Sequence, residues 1–91
     1  MLTRDIERDI RKYLVDEFFH GQDEKLRNDG SLLGGVIDST GTLNLVMFLQ
    51  EHFNFTVEDD EVVPSNLDSV QNLVAYVETK LRSKAQAQPG V

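Results

Sequence analysis

Apolar residues recur at helical spacing in three stretches of the chain. From about Thr3 to Phe18, Ile6, Ile10, Tyr13, Leu14 and Phe18 fall three or four residues apart, while Asp5, Glu7, Arg8, Asp9, Arg11 and Lys12 take the other faces. A single apolar stripe with charges around it predicts an amphipathic helix. Thr3 is its expected cap, Asp5 and Glu7 suit the positive end of its dipole, and His20-Gly21-Gln22 is its expected stop. A second run extends from Leu43 to Phe53. At about 100° per residue, Leu45, Val46, Leu49 and Phe53 share one arc about 100° wide and are predicted to face the core. Leu43 and Met47 lie away from the centre of that arc, with Asn44 and Glu51 nearer the polar pole. The third stripe is Val70, Leu73, Val74, Val77 and Leu81, capped by Asp68 or Ser69.

The intervening segments carry turn chemistry. Gln22 to Ile37 has no sustained periodicity and contains Gly30, Gly34 and Gly35, which predicts a long loop. Loops beyond about 12–15 residues are uncommon without a function. Leu32, Leu33, Val36 and Ile37 are expected to pin its second half to the core. Asn54 to Asp60 turns the chain, and Glu61-Val62-Val63 is expected to form a short helical turn that Pro64 interrupts. Ser83 to Val91 has no stripe and is expected to be a disordered tail, leaving residues 1–82 as one domain. The predicted fold is all-α, a small bundle of three main helices plus a short helical turn, with a long loop between the first and second helices.

Composition narrows what such a bundle can do. At 91 residues the chain holds one core, with no room for a cleft between two domains. It has no cysteine, so it has neither disulfides nor thiolate metal ligands, and any sulfur chemistry must come from a prosthetic group. The longest apolar run, Leu45 to Leu49, is far short of the roughly 20 residues that cross a bilayer, and no membrane insertion is expected. The charged start, Met1-Leu2-Thr3-Arg4-Asp5, lacks the apolar core of a signal peptide, so a cytoplasmic location is expected. On that basis the glycosylation sequon Asn54-Phe55-Thr56 is read as a chance match.

The net charge of −7 is unevenly spread: no Lys or Arg stands between Asn28 and Thr79, where nine acids lie. Such a surface repels phosphate backbones and anionic lipids, excludes nucleic acid as a partner and favours basic protein surfaces.

Within this acidic section, Ser39 stands in Gly34-Gly35-Val36-Ile37-Asp38-Ser39-Thr40-Gly41, just ahead of the second helix. The simplest role for Ser39 or Asp38 is to cap that helix. A hydroxyl at a helix start also projects where free N–H groups and the dipole favour an anion. Nucleophilic catalysis would need a base held beside the serine. The only histidines are His20 and His52, and no motif brings either to Ser39; His52 falls about 180° round the wheel from Leu43, on a helix flank. Neither Asp23 to Gly30 nor Glu58 to Glu61 has the ligand spacing of a calcium loop. The chain is expected to be non-catalytic.

Asp38-Ser39 after Gly35-Val36-Ile37, the helix Leu45 to Phe53, and Ser69 to Val74 at the start of the last helix together resemble the acyl carrier protein family, over roughly Leu2 to Leu81. The resemblance implies that the Ser39 hydroxyl, beside Asp38, receives 4′-phosphopantetheine from coenzyme A, and that the arm's thiol carries an acyl or aminoacyl thioester. It implies as partners a phosphopantetheinyl transferase, an adenylate-forming ligase or acyltransferase, and downstream synthases or transferases, met by a monomer. Thr40, Gly41, Leu43, Asn44, Met47 and Glu51 are the candidate recognition residues. The fatty-acid branch of the family continues Asp-Ser-Leu and has acids along the second helix, whereas Thr40, Gly41 and Asn44 stand at those places here. Asp38-Ser39-Thr40-Gly41-Thr42-Leu43 looks more like discrete carriers such as the D-alanyl carrier. The expected function is therefore a specialised carrier in a polyketide, nonribosomal peptide or cell-envelope pathway. The alternatives are a housekeeping fatty-acid carrier and a helical interaction module that never receives an arm.

Overall fold

The computed structural model describes residues 2–87. Helix α1 spans Thr3–Phe18, α2 Ser39–Phe53, α3 Pro64–Leu67 and α4 Val70–Ala87, with 3-10 turns at Asp23–Lys25 and Asp59–Glu61. This is the expected all-α bundle of three main helices with a long first loop. No strand forms among the described residues, and the one parallel bridge, Leu33 to Ile37, lies within the loop.

The apolar stripes meet in one core. Ile6, Ile10 and Leu14 of α1, Leu45, Leu49 and Phe53 of α2, and Val70, Leu73 and Val77 of α4 are buried, with Val46 and Leu81 packed at the margin. Each fully buried side chain of this size contributes roughly 2 kcal/mol relative to exposure. Val15 and Tyr76 are also buried, although neither lies at the centre of its stripe. Burial and the neighbouring Glu61 push the Tyr76 phenol well above its ordinary range, so it stays a donor and bonds Glu61 Oε1 at 2.9 Å. Burial opposes the charge on Glu61, but the Glu58 N–H, Lys80 and Tyr76 outweigh it and hold the carboxyl below its ordinary range. The acidic segment Glu58 to Glu61 is thus partly tied down, with Lys80 Nζ 3.0 Å from Glu61.

Several local expectations are corrected. Thr3 does not cap α1: Leu2 holds the cap position without a side-chain bond, and the Thr3 hydroxyl instead donates to Glu78 of α4. Pro64 begins α3 rather than interrupting a turn, because its missing N–H is harmless at the first helical position. The short turn falls two residues earlier, at Asp59–Glu61. In the loop, Leu32 and Ile37 are buried and Leu33 half-buried, as expected, but Val36 is 40% exposed and Leu26 takes a core position in the first half. Helix α4 extends to Ala87, so the expected tail begins as helix; the rest of that tail, residues 88–91, lies outside the described residues.

Helices α1 and α2 are joined through side chains. The Tyr13 ring stacks on Phe48 at 4.1 Å, Phe48 stacks on His52 at 5.0 Å, and His52 Nε2 lies 2.9 Å from Asp9 Oδ2. The bond to His52 is the main cause holding the Asp9 carboxyl below its ordinary range. At the other end α1 stops at Phe18, and His20 and Gly21 turn back in the left-handed region at φ 52° and 80°.

Candidate functional site

Ser39 is the first residue of α2, and a closed turn delivers it there. The Ile37 N–H donates to the Leu32 carbonyl at 2.9 Å and the Gly34 N–H to the Ile37 carbonyl at 3.1 Å. Gly34 makes the reversal at φ +82°, where a side chain would be strained. Leu32 and Ile37 at the base of the turn are buried, so the residue after Ile37 has a fixed origin and direction.

Asp38 then caps α2. Its backbone is extended, at φ −86° and ψ −172°, and its Oδ1 accepts the Gly41 N–H at 2.7 Å. Its carbonyl accepts from the Thr42 N–H at 2.8 Å and the Thr42 hydroxyl at 2.9 Å. The capping role open to either residue of the pair therefore falls to Asp38. Ser39 is exposed, and among the described residues its hydroxyl makes no hydrogen bond.

The electrostatics suit an anion at that hydroxyl. Helix α2 has no acid in its first turn, Glu51 is its single carboxylate, and it carries no Lys or Arg. The N-terminus of a helix of this length presents about half a positive charge, and its first N–H groups lack helical partners. Asp38 is the one nearby carboxylate in the sequence, and its Oδ1 is already engaged by Gly41. An accessible, uncommitted hydroxyl in this setting fits a covalently attached phosphodiester.

Ser39, Leu43, Met47 and Glu51 form one row at spacings of four along α2, about 18 Å long. All four are exposed, Leu43 at 66% and Met47 at 54%, and Thr40 and Asn44 on the adjacent row are exposed as well. Gly41 departs from this set of candidate recognition residues. It is buried, and a Cβ there would stand 2.9 Å from Phe18 Cε1 and 3.0 Å from Ile37 Cγ2. Its lack of a side chain lets the start of α2 close onto the end of α1, so it shapes the site without presenting a surface.

Among the described residues, no base attends the serine. His52 is committed to Asp9 and Phe48 and lies thirteen residues along the helix, about 20 Å from Ser39. His20 is exposed in the turn after α1 and makes no hydrogen bond to Ser39 among the described residues.

Asp68, which sequence reasoning offered only as a possible cap, has a different role. Ser69 caps α4, its Oγ accepting the Asn72 N–H at 3.1 Å. The Asp68 carboxylate instead reaches the loop before α2, where it accepts from the Ser31 hydroxyl and the Leu32 and Leu33 N–H groups. The sequence hint was present in the repeated dipeptide Asp38-Ser39 and Asp68-Ser69, each just ahead of a helix.

A small helical bundle that presents an exposed, uncommitted serine at the start of a long helix, with no base beside it among the described residues, has the form of a group carrier. The chain is 33% identical over 79 residues to the acyl carrier protein of Akkermansia muciniphila, a match covering 86% of this chain and 95% of that protein. It thus belongs to the acyl carrier protein family, whose members are non-catalytic carriers bearing a covalently attached 4′-phosphopantetheine. The D-alanyl carrier protein of Streptococcus mutans is 28% identical over 79 residues, covering 87% of this chain and 98% of that one. The solution NMR structure of a holo acyl carrier protein from Nitrosomonas europaea matches the fold with a TM-score of 0.69 at 31% identity, over 85% of this chain and 95% of that chain. No protein-family model matches the chain. Among the described residues, no helix is long and apolar enough to cross a membrane.

Proposed function

We propose that Ser39 is the attachment point of the arm. The observation that carries this reading is the division of labour at the start of α2: Asp38 satisfies the helix, leaving the exposed Ser39 hydroxyl free to react. A phosphopantetheinyl transferase would activate that hydroxyl. Its oxygen attacks the β-phosphorus of coenzyme A, an O–P bond forms, the bond to the 3′,5′-nucleotide breaks, and the serine proton leaves to the transferase's base. When bound, the arm supplies the thiol that this cysteine-free chain lacks and holds its cargo as a thioester.

We further propose that the cargo is an aminoacyl or unusual acyl group loaded by a separate adenylate-forming ligase. The row beyond Ser39 supports this: it is apolar at Leu43 and Met47 and reaches its first carboxylate only at Glu51. The likeness to a D-alanyl carrier adds weight to this reading. The acidic midsection is expected to steer basic partner surfaces, so docking weakens as salt rises.

Intact mass after incubation with coenzyme A and a broad-specificity transferase tests the attachment. The wild type should gain one phosphopantetheine and Ser39→Ala none; no gain on the wild type, or equal gain on both, ends the reading. Thioester formation by purified ligases tests the cargo. Loading and elongation by fatty-acid synthase enzymes alone would make the chain a housekeeping carrier. Partner binding that needs no arm and survives Ser39→Ala would make it an interaction module.

A further inference from the structure

We propose that Asp68, twenty-nine residues from Ser39 in sequence, is a positioning residue for its modification; this rests on the reading of Ser39 given above. Asp68 sits between α3 and α4, with its backbone N–H bonded to the Pro64 carbonyl at 2.9 Å. It grips the loop at three consecutive residues. Its Oδ1 accepts from Leu33 N–H at 2.9 Å, from Leu32 N–H at 3.1 Å and from the Ser31 hydroxyl at 2.9 Å, and its own carbonyl accepts the Leu32 N–H at 2.7 Å. These contacts hold its carboxyl below the ordinary aspartate range, the Leu33 N–H being the largest cause and the Ser31 hydroxyl the next.

The gripped segment is the near end of the turn that delivers Ser39. Leu32 also accepts the Ile37 N–H, so Asp68, Leu32 and Ile37 form a continuous hydrogen-bonded path that ends one residue before Asp38. Without the carboxylate, the Leu33 N–H loses its partner and the turn keeps one backbone bond to the α3–α4 junction. The row at Leu43 and Met47 stays on α2, outside this path. Loss of Asp68 should therefore leave partner docking intact and misplace the hydroxyl within the docked complex, a defect in kcat rather than KM.

Steady-state phosphopantetheinylation followed by mass spectrometry tests this on the full chain. Wild type and Ser39→Ala run alongside separate failure of the Ser39 reading, which would remove all signal, from failure of this one. For Asp68→Ala, kcat is expected to fall by about tenfold with KM within about twofold, since small displacements of a reacting atom cost one to two decades. Asp68→Asn keeps a carbonyl acceptor for both N–H groups and should restore most of kcat. Amide hydrogen exchange should quicken at Leu33 and Ile37 in Asp68→Ala and remain slow at Leu49. If Asp68→Ala does not fold, Ser31→Ala takes its place, with a smaller fall in kcat at constant KM. Wild-type kcat in the folded variant would overturn the proposal. So would an equal loss in Val77→Ala, a core truncation remote from the path, because the effect would then be one of general stability.

Discussion

The dipeptide Asp-Ser occurs twice in this chain, each time immediately before a long helix, and the two copies do opposite things. At α2 the aspartate caps: Asp38 Oδ1 accepts the N–H three residues on, and Ser39 becomes the first helical residue, exposed and uncommitted. At α4 the serine caps: Ser69 Oγ accepts the N–H three residues on and is buried, while Asp68 lies outside the helix and holds a distant loop. A shift of one residue in where the helix begins exchanges the roles. The same two side chains thus give an exposed, free hydroxyl in one place, the attachment point proposed above, and a structural joint in the other, and register decides which.

Chemical modification should separate the two copies completely. Transferase and coenzyme A should label a peptide containing Ser39 and never one containing Ser69, and Ser69→Ala should be modified at the wild-type rate. Label on Ser69 would break the comparison, because a 7% exposed, hydrogen-bonded hydroxyl would then be as available as a free one.

Cap truncation should produce the next largest effect, this time on stability. Replacing a side-chain cap with alanine costs about 0.5–2 kcal/mol. Ser69→Ala truncates a buried cap and leaves the Asn72 N–H without its partner, and should approach 2 kcal/mol, whereas Asp38→Ala truncates an exposed cap and should cost about 1 kcal/mol. Urea denaturation of both variants checks the order; a larger loss in Asp38→Ala would reverse which copy is the structural one.

Gly41 sharpens the contrast at the third helical position, where α4 has Asn72. Glycine to alanine inside a helix ordinarily gains up to about 1 kcal/mol. Here the added Cβ meets the Phe18 ring and the Ile37 methyl at about 3 Å, and overpacking costs about 1–3 kcal/mol. Phe18 is half-buried and can yield, but Ile37 is locked in the turn, so Gly41→Ala should lose about 1 kcal/mol net. A gain in denaturation midpoint would show that α1 and α2 approach less closely than this packing requires.

Much of this was legible before the structure. The arc of Leu45, Leu49 and Phe53 and the stripe of Val70, Leu73 and Val77 follow from helical period alone, and each is buried as the period demands. Ser39 stands out as a candidate because the surrounding pattern marks it, not because Asp-Ser carries information by itself. The assignment of the caps was not legible, since both residues of each pair can cap and the choice depends on a register set by tertiary contacts of Leu32, Ile37 and Phe18. The grip of Asp68 on Ser31 spans 37 residues, a distance over which sequence pattern carries no signal. Residues 83–87 of the expected tail continue α4 for a local reason. The stripe stops after Leu81, but Ser83-Lys84-Ala85-Gln86-Ala87 contains no breaker, and helix formers extend α4 without an apolar face to guide them.

The smallest expected effect concerns pH and again divides the pairs. Asp68 has its carboxyl lowered by hydrogen bonds from the folded loop, chiefly the Leu33 N–H, and these are absent in the unfolded chain. A group with a depressed folded pKa contributes stability that is present above its unfolded value, about 3.9, and is lost as pH falls through the folded value. Asp68→Asn removes that titration while keeping the acceptor geometry. Its thermal midpoint should therefore fall less steeply than that of the wild type below about pH 4, and the two curves should run parallel above about pH 5. Asp9, Asp29 and Glu61 are lowered as well and persist in the variant, so the acid limb should flatten without vanishing. An acid limb identical to that of the wild type would mean that the loop does not favour the charged form of Asp68, and its grip would then rest on the backbone bond to Leu32 alone.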